Sequence, residues 1–357
     1  MQAVLISREL RRRGHDVSLL CTPRSTILKE AYAAGIPAVG LLGDDKQAFR
    51  TIRELSRLLR DYDFDVVHTH LSHDLWWLVP ALKLASSDAK FFLTKHMASG
   101  VKKTDPLHRF LYGRLQGTFA ISNYIKGSVL NTCPVPESKV HVLPPGIPLE
   151  TFDPSLYRKS EVRAELGIPE NTLLIGMVGR MSPGKGHEEF LMAAKSLTDS
   201  SGMNLQFLVV GGASFGEGPY ESKIRNLAGD LGLKDVVTFT GFRKDVPRLL
   251  TAFDILAFPS HEESFGLGLA EAMAMKLPVV ASKSAGVLDI VVDNETGLLV
   301  PPKDYKSLAD GILRLVRDPN VRRSHGEAGR KRVEQLFSLS SVVDSLERYY
   351  TGKEVED

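Results

Sequence analysis

Ile175-Gly-Met-Val-Gly-Arg-Met-Ser-Pro-Gly-Lys-Gly186 passes from a hydrophobic strand into a glycine-rich turn, and a helical pattern over 187–197 follows. This strand–turn–helix unit repeats outward along the chain. On the C-terminal side, apolar runs at 173–178, 206–210, 236–240, 255–258 and 279–281 alternate with longer helical stretches. On the N-terminal side, similar runs fall at 17–21, 66–70, 91–94, 118–121 and 140–143. Strands alternating with helices read as α/β with parallel sheets. Between the two series, Pro144, Pro145, Pro148 and Pro154 interrupt regular structure and mark a junction. The expectation is two Rossmann-like, doubly wound domains, 1–147 and 148–339, facing each other with ligand outside the carboxyl ends of the strands. An amphipathic helix at 340–350, within a tail of 340–353, is expected to pack back on the body.

Bulk properties agree with this division. A chain of 357 residues exceeds the roughly 250–300 at which a single core stops growing. With 43% hydrophobic and 25% charged residues the composition is that of a globular protein, and a net charge of +2 gives no nucleic-acid footprint. Cys21 and Cys133 are the two cysteines, without zinc or disulfide spacing, which suits a reducing cytoplasm. No apolar run reaches the length of a membrane span, since Pro80 and Lys83 interrupt the longest candidate, and no signal peptide is recognisable.

The turn at Gly179–Lys185 carries anion-binding chemistry. Free N–H groups at a helix start attract phosphate, and Arg180 and Lys185 add two full charges. The spacing also satisfies a P-loop, but the next position is Gly186, where that loop needs Ser or Thr for magnesium. The strand at 255–258 runs into Pro259 and Ser260 instead of ending in an aspartate.

A second cluster is Phe258-Pro-Ser-His-Glu-Glu-Ser-Phe-Gly-Leu-Gly-Leu-Ala-Glu-Ala-Met-Ala274. A strand ends at Pro259, a polar loop follows, and a helix begins near Gly266 and runs to about Lys276. Gly266 and Gly268 allow close approach to its free N–H groups. Glu263 in the loop and Glu271 one turn into the helix offer carboxylates, which accept paired hydrogen bonds from vicinal hydroxyls such as those of sugars and ribose.

These motifs resemble retaining glycosyltransferases of family four. Glu263 and Glu271 are similar to that family's E-x7-E signature, and Gly-Arg-Met-Ser-Pro-Gly-Lys-Gly to its Gly-Arg…Lys-Gly segment. Phe207-Leu-Val-Val-Gly-Gly, Val237-Thr-Phe-Thr-Gly and Asn294-Glu-Thr-Gly-Leu-Leu-Val300 occur in the expected order. The likeness covers nearly the whole chain and is strong over 171–302. In the first half it rests on Glu9-Leu-Arg-Arg-Arg-Gly-His-Asp-Val17, Asp65-Val-Val-His-Thr-His70 and Phe119-Ala-Ile-Ser122.

The resemblance implies a GT-B architecture with acceptor handled by the first domain and donor by the second. It implies that Gly179, Arg180 and Lys185 hold the diphosphate of a nucleotide-diphosphate sugar, supported by the backbone of Phe265, Gly266 and Leu267. Glu263 then contacts the transferred sugar, Glu271 the ribose, and the loop with Phe242 and Arg243 borders the base. His96, in Thr94-Lys-His96, resembles the family's cleft histidine beside that sugar, so the catalytic set is Glu263, His96, Arg180 and Lys185. Retention, a leaving phosphate oxygen acting as base, and no metal or other cofactor are further implications. The acceptor is expected to be a glycan or a lipid-linked sugar in cell-surface polysaccharide or glycoconjugate synthesis.

Other features are weighed beside this. His70 is expected on the acceptor side. His68 and His70 share one strand face but lack a third metal ligand, and Asp61, Asp63 and Asp65 fit a solvated turn. Gly211, Gly212, Gly216 and Gly218 do not form a nicotinamide fingerprint. Basic stretches 8–13 and 102–114 are candidates for peripheral inner-membrane contact, against the plainer reading of solvated helix faces.

Two departures stand out. Residues 2–13 read as a helix before the first strand, so one strand and its glycine loop are expected upstream of Met1. Ala285-Gly-Val-Leu-Asp289 replaces the family's Gly-Gly-x-x-Glu. The alternatives are a nucleotide-sugar binding protein with little turnover and, more remotely, a P-loop NTPase.

Overall fold

The computed structural model describes residues 1–41 and 48–352. The chain divides into two compact units, one formed by 1–146 with 339–357 and the other by 147–338.

The first unit runs α1 (Gln2–Arg12), β1 (Leu19–Cys21), α2 (Thr26–Ala33), β2 (Ala38–Gly40), α3 (Ala48–Asp61), β3 (Val66–Thr69), α4 (Leu75–Ala85), β4 (Lys90–Lys95), α5 (Pro106–Gly113), β5 (Gly117–Ala120), α6 (Asn123–Thr132) and β6 (Val140–Val142). Among the described residues all its strand pairs are parallel, but they make two sheets. β3, β4, β5 and β6 pair in that order, while β1 pairs with β2 alone. Parallel strands normally lie buried on both faces. Leu20 at 41% and Val39 at 49% exposure depart from that rule in the two-stranded sheet.

The second unit runs α7 (Lys159–Glu165), β7 (Leu173–Val178), α8 (His187–Ser200), β8 (Leu205–Val210), α9 (Gly218–Asp230), β9 (Val237–Gly241), α10 (Val246–Ala252), β10 (Ile255–Phe258), α11 (Leu267–Ala274), β11 (Val279–Ser282), α12 (Val287–Ile290), β12 (Leu298–Val300), α13 (Tyr305–Arg317) and α14 (Pro319–Leu336). Its six strands form one parallel sheet in the order β12-β11-β10-β7-β8-β9. β7 and β10 are buried along nearly their whole length. Ile175, Met177, Phe190, Phe207, Ile255 and Ile312 belong to one continuous core between sheet and helices.

The last helix, α15 (Leu339–Thr351), returns to the first unit. Its apolar face, Val342 and Leu346, packs on Phe92, Phe119 and Leu143. Its polar face is latched by Arg13, which bonds Asp344 at 2.5 Å and Glu347 at 2.6 Å. Of the strands, β2 and β12 are the two that the hydrophobic runs did not indicate.

Candidate active site

In the second unit the strand order reverses at β7. β8 and β9 lie on one side of it, and β10, β11 and β12 on the other. Loops leaving two such neighbours diverge and open a crevice at the carboxyl ends of the strands. β7 and β10 are those neighbours, so the two motif-bearing turns emerge side by side. A cavity of about 340 Å³ opens there. Gly179, Arg180 and Lys185 border it from the first turn, and Glu263, Gly266, Leu267 and Glu271 from the second.

Both turns end in helices capped by left-handed glycines, Gly186 at φ +81° and Gly266 at φ +108°. Gly186 has a second constraint. A Cβ placed on it would stand 2.2 Å from the carbonyl oxygen of Pro259, because the two turns are packed backbone to backbone. The Ser or Thr of a P-loop does not fit, which removes the NTPase alternative on steric grounds.

Charge in the cavity is arranged before any ligand enters. The Lys185 ammonium forms an ion pair with the Glu263 carboxylate, and the Ser260 hydroxyl donates to the same carboxylate oxygen at 3.0 Å. Arg180, more than half exposed, lies 3.7 Å from Glu217. Glu271 has no ion partner among the described residues, and loss of water pushes its carboxyl up to about 7. Two cations, two helix starts and two carboxylates around one crevice can hold a phosphate chain and hydroxyl-rich rings together.

The remaining expected residues are placed as follows. The Phe265 side chain is buried edge-on against Phe337, ring centroids 5.5 Å apart, so it anchors the backbone ahead of α11 without lining the cavity. Phe242 is 77% exposed, and Arg243 is bound to Asp245 at 2.6 and 2.8 Å; neither borders the cavity. His70 and His96 belong to the first unit. They meet there, His70 Nδ1 lying 3.0 Å from His96 Nε2, with the His68 ring stacked on His70 at 4.8 Å. Burial lowers all three pKa values, His70 to about 4, so the set is neutral at pH 7. Among the described residues no group of three or more His, Cys, Asp or Glu is arranged to hold a metal ion.

Sequence reading passed over His261 and Glu189. The His261 backbone N–H donates to the Gly184 carbonyl at 2.8 Å, and its Nε2 lies 2.9 Å from Glu189 in the first turn of α8. His261 thereby ties the turn carrying Lys185 to the loop carrying Glu263. An acidic residue in a first helical turn reads as a complement to the helix dipole, so the sequence held no signal for this cross-link.

Two α/β units with parallel sheets, the second with a crevice lined by Arg180 and Lys185 at its switch point, make the GT-B build of a glycosyltransferase. Residues 2–151 match the family described as Glycosyltransferase Family 4, and residues 158–332 match Glycosyl transferases group 1. The chain belongs to this family. A D-inositol 3-phosphate glycosyltransferase of Corynebacterium aurimucosum is 31% identical over 313 residues, covering 81% of this chain and 72% of that relative. Another, from Corynebacterium jeikeium, is 34% identical over 64% of this chain, and an alpha-D-kanosaminyltransferase of Streptomyces kanamyceticus is 32% identical over 54%. The chain spans about half the length of these last two, 54% and 49%. Among solved structures, a glycosyltransferase of Rickettsia africae superposes with a TM-score of 0.89 at 23% identity, covering 98% of this chain and 93% of that one. Anabaena HepE in complex with UDP and glucose gives 0.81 at 21%, covering 98% and 95%. No helix among the described residues is long and apolar enough to cross a membrane.

Proposed function

We propose that the chain transfers a sugar, with retention, from a nucleotide-diphosphate sugar to a glycan or lipid-linked acceptor in cytoplasmic assembly of a cell-surface polysaccharide or glycoconjugate. The observation that carries this reading is the Lys185–Glu263 pair, set between two helix starts and facing Glu271 in one crevice. On donor binding Lys185 exchanges the carboxylate for the diphosphate, and with Arg180 and the N–H groups of α8 and α11 it neutralises the charge that develops on the leaving group. Glu263, released from Lys185, accepts hydrogen bonds from the transferred sugar, and Glu271 from the ribose. The leaving phosphate takes the acceptor proton, and fixed protein charge serves where other transferases use a metal. A thermal-shift screen of uridine, guanosine and adenosine diphosphate sugars tests this reading. At least one is expected to raise the melting point of wild type but not of Lys185→Ala, and silence from all three would refute it.

The second reading, a nucleotide-sugar binder with little turnover, is favoured by the split sheet of the first unit. A two-stranded sheet is marginal alone, and β1 and β3 each keep one unpaired edge. Stable nucleotide-sugar binding without measurable transfer would bear this second reading out.

We propose that any peripheral contact with anionic lipid runs through the second basic stretch, where Lys102, Lys103 and Arg109 accompany exposed Met97, Val101, Leu107 and Phe110. In the first stretch Arg12 and Arg13 are already bound to Glu9. Co-sedimentation with phosphatidylglycerol vesicles should fall in Phe110→Ser and stay unchanged in Arg12→Ala.

A further inference from the structure

A cavity of the first unit is lined by none of the three clustered histidines. It is a groove of about 560 Å³, within the ~300–1,000 Å³ common for small-molecule sites, between the loop after β4 and the outer face of α6. Ser99 and Gly100 form one wall; Tyr124, Gly127, Ser128 and Asn131 form the other. No ionisable side chain other than the Tyr124 phenol lines it.

Its floor is braced. The Ser99 N–H donates to the Ser128 hydroxyl at 3.0 Å, and the Thr132 hydroxyl donates to the Ser128 carbonyl at 2.6 Å, so loop and helix are held in one arrangement. Gly127 has no reason within the fold. It occupies the interior of a ten-residue helix, where glycine is less favourable than alanine, yet a Cβ there would meet nothing within 4 Å. What glycine does at this position is leave the helix backbone bare to the groove. One turn before it stands the exposed Tyr124 ring, and one turn after it the Asn131 amide. Amide and hydroxyl groups both donate and accept, which suits vicinal hydroxyls, and an aromatic ring covers the apolar C–H face of a pyranose. A lining without charge offers no ion pair to a phosphate or carboxylate, while its hydroxyls, amides and aromatic ring suit an uncharged ring that is polar at its rim and apolar on its face.

We propose that the groove along α6 is a carbohydrate subsite holding an uncharged sugar ring of the acceptor glycan. This rests on the transferase reading, and the test separates the two. The full chain is examined by saturation-transfer difference NMR against millimolar neutral methyl glycosides of the common hexoses and N-acetylhexosamines. UDP, GDP and ADP binding is measured in parallel. The expected result is contact with at least one glycoside, weakened about fivefold or more in both Gly127→Leu and Tyr124→Ala, a loss on the scale of one or two hydrogen bonds. Lys185→Ala is expected to keep the glycoside contact while losing the nucleotide. Gly127→Ala serves as a fold control and should raise the melting temperature. Absence of any glycoside contact in a chain that binds nucleotide would overturn the subsite, as would contacts unchanged in both groove variants. Absence of nucleotide binding in the wild type, with glycoside contact intact, would instead overturn the donor reading.

Discussion

The two units are built on the same parallel α/β plan and differ in how far each completes it. In the second, six strands form one sheet whose central members, β7 and β10, deliver both anion-binding turns into one crevice. In the first, four strands pair and two stand apart, with Leu20 and Val39 in water where a continuous sheet would bury them. The lesson is that a donor crevice needs only one intact switch point. On the proposed function, acceptor handling and turnover would depend on the less continuous unit. A chain can therefore bind a nucleotide sugar well before it turns one over quickly.

Hydrogen exchange should expose the contrast most strongly. Amides of β1 and β2 are expected to exchange on the order of a thousandfold faster than those of β7, since local opening costs least where few apolar contacts must be broken. Equal protection in the two units would break the comparison.

The proposed donor crevice is sharpened by Glu263→Ala, which frees Lys185 from its partner and would remove the proposed sugar contact. Transfer should fall by about a hundredfold or more, with the fold retained on circular dichroism.

Glu271→Gln separates stability from function. In the folded chain the Glu271 carboxyl is raised to about 7 from an ordinary 4.5, so the native state holds a proton that the unfolded chain releases. That contribution to stability is complete below about pH 4.5 and is lost as pH rises to about 7. Above pH 7 the variant, which carries no buried charge, should therefore be more stable by roughly 2–3 kcal/mol, with the gap closing toward pH 5. Donor affinity should fall about tenfold in the same variant, the loss expected for hydrogen bonds to a charged group. A stability gap independent of pH would remove the buried-carboxylate account.

The smallest effect is expected at His261. His261→Ala cuts the tie to Glu189 without touching the ligand, so kcat should fall about fivefold with KM nearly unchanged, and Glu189→Gln should be milder because an amide still bonds the ring.

Much of the donor unit was legible in sequence because its signals are local. The runs over 173–178 and 255–258 are apolar, bounded by turn residues, and coincide with β7 and β10. Gly186 was legible as a residue foreign to a P-loop, but its collision with Pro259 depends on two turns 73 positions apart and becomes visible only in the fold. The His261–Glu189 tie is nonlocal in the same way. β2 and β12 lay in segments that no apolar run marked. For Phe242 and Arg243, the family resemblance implied a loop beside the base. The structure leaves Phe242 in solvent and Arg243 bound to Asp245, outside the cavity.

The most direct test is a calorimetric titration of wild type and Lys185→Ala with UDP, GDP and ADP. The account predicts that one diphosphate binds the wild type and that the variant loses about tenfold or more in affinity, the scale of a charge-assisted contact to phosphate. Equal affinity in the two chains, or no binding of any diphosphate to the wild type, would contradict it.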